Sequence, residues 1–384
     1  MIPYGRQDIR DEDVAAVEAV LRSDWLTQGP IVPRFEEAVA ARCGAGHAVA
    51  VNSATSALHL ACLALDLKPG DTLWTTPNTF VASANCGRYC GASVDFVDIE
   101  QNSLNLDPAA LTAKLERAEK AGALPKIVVA VDFAGLSCEM AAIRALADRY
   151  GFRVIEDASH AIGGRYQGEA IGNCRHADIT VFSFHPVKII TTGEGGMALC
   201  NDAELAERMA RLRSHGIQRD VTTQAAEGPW YYEQTELGFN YRMTDMQAAL
   251  GLSQLARLDD YVAARRRLAD RYDRLLAGLP LQTPRRDAAA ESVWHLYVIR
   301  LDDAVLARPG RRAVFEHLRA AGIGVNVHYI PVHLQPDYRR LGFAPGYFPV
   351  AEDYYARAIT LPLYPGLSDA EQDRVVAELK EALA

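Results

Sequence analysis

Apolar residues along the chain recur in two alternating rhythms. Short β-branched runs, HAVAV (47–51), DTLWTT (71–76), SVDFVDI (93–99), KIVVAVDF (126–133), RVIED (153–157), DITVFS (178–183) and GMALC (196–200), are separated by stretches of helical spacing. Strand, helix, strand repetition predicts an α/β fold with a mainly parallel sheet covered on both faces. From Thr244 to Leu279 the pattern is helical throughout and is ended by Pro280. This predicts a long helix bridging to a second unit. There ESVWHLYVIRL (291–301) and GVNVHYI (324–330) read as strands, and RRAVFEHLRAAG (311–322) as a helix ending at Gly322. SDAEQDRVVAELKEALA (368–384), opening on a Ser-x-x-Glu capping pattern, reads as a closing helix. The expected division is a large domain over 1–250 and a smaller C-terminal α/β domain over 251–384. RRDAAAES (285–292) reads as a surface loop.

At 384 residues and 49% hydrophobic, the chain is long enough to bury two cores. A net charge of −9 gives no support to a nucleic-acid-binding face. The run Arg265, Arg266, Arg267 reads as the solvated side of the long helix. Seven cysteines, several inside apolar runs, fit reduced thiols. No run of about 18 apolar residues occurs, and Arg6, Asp8, Arg10 and Asp11 precede any apolar stretch, which speaks against a secretory signal. The expected compartment is the cytoplasm, with no membrane partner.

Three local patterns carry chemistry. Lys188 follows the apolar run DITVFS within FSFHPVK (182–188) and precedes TTGEGG (191–196). A lysine delivered to a glycine-rich turn by a buried strand suits an amine that meets a carbonyl at a fixed point. Asp157 ends RVIED, and the carboxyl end of a parallel strand is where open α/β sheets bind ligands. In VAVNSATSALHLACLAL (49–65) a short strand runs into a helix through Ser53, Ala54, Thr55 and Ser56. Their N–H groups and hydroxyls suit a phosphate. A surface amine, a helix cap and a plain helix start are the bland readings of these three. Together, at strand ends of one α/β chain, they describe a pyridoxal phosphate site.

These motifs, with LTQGP (26–30), PNTFVASAN (77–85), DASHAIGG (157–164), GFNYRMTDMQAALG (238–251) and HYIPVH (328–333), resemble the DegT/DnrJ/EryC1/StrS family. That group consists of fold-type I aminotransferases acting on nucleotide-linked keto sugars. The opening IPYGRQ (2–7) with NSATSALHLACLAL, PNTFVASANC and DASHA is most similar to its pseudaminic acid branch. The resemblance implies that Lys188 is catalytic. It implies that Asp157, His160, Ser183, Ala54, Thr55, Ser56 and Phe80 hold pyridoxal 5'-phosphate, with Phe80 stacked on its ring. Asn240 would reach the cofactor phosphate of a second subunit in a homodimer. Tyr4, Gln28, His328 and Tyr329 would line the sugar pocket. The implied substrates are a UDP-linked 4-keto-6-deoxy-N-acetylhexosamine and L-glutamate. His160 is expected to meet the Asp157 carboxylate or the cofactor's phenolic oxygen.

His328 and His333 are five residues apart with Pro331 between them, and no third ligand has a motif, so no metal is expected. GEGG (193–196) is a turn, not a dinucleotide fingerprint. Three other readings stay open: a sugar dehydratase, against which Lys188 argues, a regulator that binds the cofactor without turnover, and a purely structural protein.

Overall fold

The computed structural model describes residues 1–384 apart from the side chain of Thr223. Seven strands form the central sheet in the order His47–Val51, Gly196–Cys200, Ile179–Ser183, Arg153–Asp157, Ile127–Val131, Thr72–Thr75, Ser93–Phe96. Every predicted strand of the first half is present. Only Gly196–Cys200 runs antiparallel to its neighbours. The other six point the same way, so their carboxyl ends share one rim. Ile127–Val131, Ile179–Ser183 and Gly196–Cys200 are buried at every position, as strands covered on both faces must be.

A second, antiparallel sheet joins Leu281–Gln282, Tyr297–Leu301 and Ala358–Leu361. Its core gathers Tyr272, Tyr297, Leu301, Val314 and Leu379 together with Ile2 from the start of the chain. Ile2 is held there by backbone bonds to Gly322 and Gly324. The closing helix spans Asp369–Leu383, and Ser368 and Glu371 make the reciprocal capping bonds that the pattern predicts.

The expected long helix is two. Asp245–Leu255 and Leu258–Leu275 are separated at Arg257, whose backbone leaves helical geometry at φ −109°. There its guanidinium grips the buried carboxylate of Asp13 at 2.6 and 2.7 Å. The second of these helices does bridge: Leu258, Tyr261 and Val262 pack in a core of the large sheet, and Leu268, Ala269 and Tyr272 in the small one. Between the two sets lies Arg265, which is 1% exposed rather than solvated. Its Nη1 donates to the carbonyls of Trp294, His295 and Leu363 at 3.0–3.3 Å. Burial pulls its pKa down to about 10.

Two more expectations shorten. Of 291–301 only Tyr297–Leu301 joins the small sheet, because Val293 and His295 donate instead to the carbonyls of Gly135 and Ala134. The segment 324–330 is no strand. Its donors go elsewhere, Gly324 to Ile2 at the start of the chain, Val325 to Ile323 and Val327 to the side chain of Asn326, leaving a single bridge from Asn326 to Thr360. All seven cysteines are free and buried.

Replacing Arg265 with Met strips three buried carbonyls of their donor, which at about 1–3 kcal/mol per unsatisfied group outweighs relief from the desolvated charge. Arg265→Met is expected to lower the urea midpoint by the equivalent of about 2–4 kcal/mol; an unchanged midpoint would show the cation to be dispensable.

Candidate active site

The carboxyl rim of the large sheet opens on a cavity of about 650 Å³, the size of a cofactor-plus-substrate site. Lys188, Asp157, Ser183, Ala54, Thr55, Phe80, His160, Tyr4, His328 and Tyr329 all line it, so the structure brings together ten of the thirteen residues singled out in the sequence.

Asp157 ends its strand against a set of donors. Ser83 Oγ donates to one carboxylate oxygen at 2.6 Å, and Ser159 donates to the other through Oγ at 2.5 Å and N–H at 3.2 Å. Because Ser83 must donate there, Thr79 supplies the proton in their mutual contact at 2.7 Å. The carboxylate is thereby oriented before any ligand arrives.

The helix Ala54–Ala64 begins at the cavity, and its first-turn N–H groups have no earlier turn to bond to. Ser53 caps it, accepting from the Ser56 N–H at 3.1 Å. Gly196 lies against this corner so closely that an added Cβ would sit 2.4 Å from Ala54 N. The strand therefore needs glycine for the cup to exist. Ser56 departs from expectation. Its hydroxyl turns to Asn52 Oδ1 at 2.7 Å and to Ser53 Oγ, and it does not line the cavity. Ser53, Thr55 and Ser183 do line it.

Lys188 has its pKa lowered to about 8 by burial, with the Asp157 charge working in the opposite direction. Three imidazoles share the space. Burial and the Lys188 charge pull His328 down to about 4, and burial first, then nearby charge, push His160 and His295 well below the ordinary histidine range. All three are neutral at pH 7.

His160 meets neither oxygen of Asp157. Its Nδ1 accepts from Ala134 N–H at 3.2 Å and its Nε2 lies 3.2 Å from Tyr329 Oη. His328 is held by Thr360 at 2.8 Å and packs against Tyr4 at 5.5 Å between ring centroids. His333 lies elsewhere, paired with Glu352 at 2.9 Å. Phe80 is 58% exposed, a large apolar ring left open at the cavity wall. Gln28 and Asn240 are exposed and lie outside the cavity of their own chain.

The sequence reading missed Ser83, Ser159 and His295. Ser159 carried a signal, a hydroxyl two residues beyond a strand-end acid, and His295 another, a lone imidazole inside the apolar run VWHLY. Ser83 carried none, because its pairing spans 74 residues.

Residues 7–380 match the model of the DegT/DnrJ/EryC1/StrS aminotransferase family. The chain belongs to this family. It is a pyridoxal-phosphate-dependent aminotransferase of the α/β class. Over 383 residues it is 40% identical to the spore coat polysaccharide biosynthesis protein SpsC of Bacillus subtilis, covering 99% of this chain and 96% of that protein. Among solved structures, Helicobacter pylori PseC, an aminotransferase involved in the biosynthesis of pseudoaminic acid, superposes with a TM-score of 0.90 at 33% identity. That match covers 100% of this chain and 99% of PseC. Spr1654 of Streptococcus pneumoniae, assigned as a sugar aminotransferase and solved in its PLP form, gives 0.89 at 30%, covering 100% and 98%.

The cavity fits this cofactor: an amine, an oriented carboxylate at a strand end, and a helix N-terminus whose corner only glycine permits. When bound, pyridoxal phosphate supplies a conjugated ring that accepts the electron pair left when a proton departs the substrate carbon.

The lowered Lys188 pKa has a testable sign. The unfolded lysine binds more protons than the folded one between about 8 and the ordinary 10.5, so in the cofactor-free protein this group adds stability as pH rises through that window. The rate at which cofactor-free protein forms its covalent bond to added pyridoxal phosphate should rise with a midpoint near pH 8, read by stopped-flow absorbance. A midpoint at the value of free lysine would contradict the buried setting.

Proposed function

We propose that this sugar aminotransferase moves the amino group of L-glutamate to the 4-keto carbon of a UDP-linked 4-keto-6-deoxy-N-acetylhexosamine, giving a 4-amino sugar nucleotide of pseudaminic acid biosynthesis. The observation that carries this reading is the convergence of Lys188 and Asp157 with Tyr4, His328 and Tyr329 on one cavity large enough for a cofactor and a sugar. The likeness to PseC supports the choice of sugar.

In this reading Lys188 would hold the reactive carbon of the cofactor, and its amine would carry the proton to and from carbon 4 of the sugar. With a pKa near 8 it is close to the pH at which general base and general acid are balanced. Asp157 would hold the ring nitrogen, where a carboxylate favours the protonated form. Ser183, Ala54 and Thr55 would take the phosphate, and Phe80 would cover the ring. Tyr4 and the His328–Tyr329 pair hold the sugar. One cavity serves both substrates, so glutamate and sugar occupy it in turn.

Higher identity to SpsC, 40% against 33% for PseC, favours a second reading in which the acceptor is a different nucleotide-linked keto sugar. The separating experiment is a panel of UDP-, dTDP- and GDP-linked keto sugars with glutamate, read by mass spectrometry. The altro-configured UDP-4-keto-N-acetyl sugar is expected to give the largest specificity constant, and preference for a dTDP-linked 3-keto sugar would remove the branch while leaving the transamination.

The homodimer and the division near residue 250 belong to the same proposal. Asn240 is exposed, and Leu237, three residues before it, is 81% exposed, as suits an edge that a second copy covers. The seven free thiols suit the cytoplasm. Lys188→Ala is expected to lose turnover by several orders of magnitude, and Asn240→Ala to bind cofactor weakly. Mixing the two under conditions of subunit exchange should restore part of the activity, because one site of the hybrid has both residues. No recovery despite demonstrated exchange would exclude a shared site.

A further inference from the structure

Glu156 precedes Asp157 on the strand Arg153–Asp157, and alternation turns its side chain to the opposite face of the sheet. There the register sets it level with Ala130 of one neighbouring strand and Thr180 of the other. Asp132 follows the strand Ile127–Val131, two residues beyond Ala130, and comes to the same face. Val128, Ala130 and Val154 of this face pack in an apolar core with Met140. In these surroundings Asp132 is 0% exposed and Glu156 6%, and neither lines the cavity that holds Lys188.

The polar contacts of the two acids leave one atom over. Thr180 Oγ1 donates to Glu156 Oε2 at 2.8 Å, and the Cys138 N–H donates to Asp132 Oδ1 at 2.9 Å. Asp132 Oδ2 is buried, and no donor reaches it. The two side chains are in hydrogen-bond contact with each other. Ionised carboxyl groups only accept, so that contact needs a proton on one of them. A proton on Asp132 Oδ2 supplies it, and Oδ1 still accepts from Cys138.

No ion pair relieves either acid among the described residues. The nearby thiols of Cys43, Cys138 and Cys174 are kept protonated, by burial first and then by the Glu156 charge. Asp157, across the sheet, adds negative charge. Beyond Glu156 lies a small cavity of about 50 Å³, shared with Tyr166, Glu169, Arg175 and His176. Arg175 is committed to Glu169, burial and the Arg175 charge hold His176 below its ordinary range, and burial raises the Tyr166 hydroxyl, which stays neutral. Burial, then the charges of Glu156 and Asp157, raise Asp132 well above the usual carboxylate range. Burial lifts Glu156 to about 7, with the bonds from Thr180 and Asp132 working the other way.

We propose that Asp132 is carried as a neutral carboxylic acid at pH 7 and gives its proton to Glu156, and that this proton is a pH-sensitive latch between the ends of the strands Ile127–Val131 and Arg153–Asp157. With the proton in place the two side chains bond across the strands. Without it two carboxylates meet in an apolar core. Both acids are raised in the folded chain, so their contribution to stability is fully present below the ordinary values of 3.8 and 4.5 and is lost as pH rises, through about 7 for Glu156 and higher for Asp132. The latch is independent of the sugar and of how the cofactor is held.

The test uses the full chain with its cofactor bound. Infrared spectra at pH 7 should contain the carbonyl band of a buried protonated acid, lost in Asp132→Asn and kept in Glu156→Gln. No such band, or a band lost only in Glu156→Gln, would overturn the proposal. Labelling aspartate with carbon-13 at the side-chain carboxyl should move the band in the parent itself, so the assignment survives a variant that does not fold; a band unmoved by that label overturns it. Asp132→Asn keeps a donor toward Glu156 and an acceptor for the Cys138 N–H. From urea unfolding between about pH 6 and pH 8, the parent's folding constant should fall about 10-fold more per pH unit than the variant's, the effect of one proton retained only in the folded chain. Parallel curves for the two would sink the latch.

Discussion

A single buried cation ties the halves of this molecule to its cavity. Arg265 sits at the middle of the bridging helix, between residues committed to one core and residues committed to the other. Among the described residues no carboxylate pairs with it; three backbone carbonyls neutralise it instead. Two of these belong to Trp294 and His295, and His295 lines the cavity. The third belongs to Leu363, whose N–H bonds the carbonyl of Tyr4, another cavity residue. All three contacts leave Nη1, so one nitrogen of the side chain holds three backbone segments together. The cost of desolvating the charge is met by fixing two walls of the site.

Within the cavity the electrostatics are sparse by construction. Three histidines stay neutral because burial and the Lys188 charge both oppose their protonation. Lys188 faces the Asp157 carboxylate as its attractive partner, while its own burial favours the free amine. The Asp157 oxygens are already engaged by two serines. A ring arriving here meets groups set in place by the protein, and little reorganisation is left for the reaction itself.

How legible this was in the sequence depended on range. Strands such as KIVVAVDF were plain because burial on both faces leaves an uninterrupted apolar run. Lys188 and Asp157 were plain because strand ends put chemistry at a sheet's rim. Arg265 was hidden by its neighbours, since three arginines in a row look solvated. Yet the helical phase carries the signal: 258, 261, 262, 265, 268, 269 and 272 form one buried stripe, with Arg265 in its middle. The strand expected over 324–330 failed because alternation says nothing about which partner a backbone finds. Ser56 failed for a similar reason, as only the fold reveals that Asn52 claims its hydroxyl.

The free thiols carry a consequence for watching this chain open. Cys62, Cys86, Cys90 and Cys200 sit in one core of the large sheet, Cys43 and Cys174 in a second and Cys138 in a third, while the core built around Tyr297 and Ile2 has none. Buried thiols are alkylated only as fast as their surroundings unfold. Adducts counted by mass would thus time the loosening of three separate packing regions, and the smaller sheet would pass through its own fluctuations unseen.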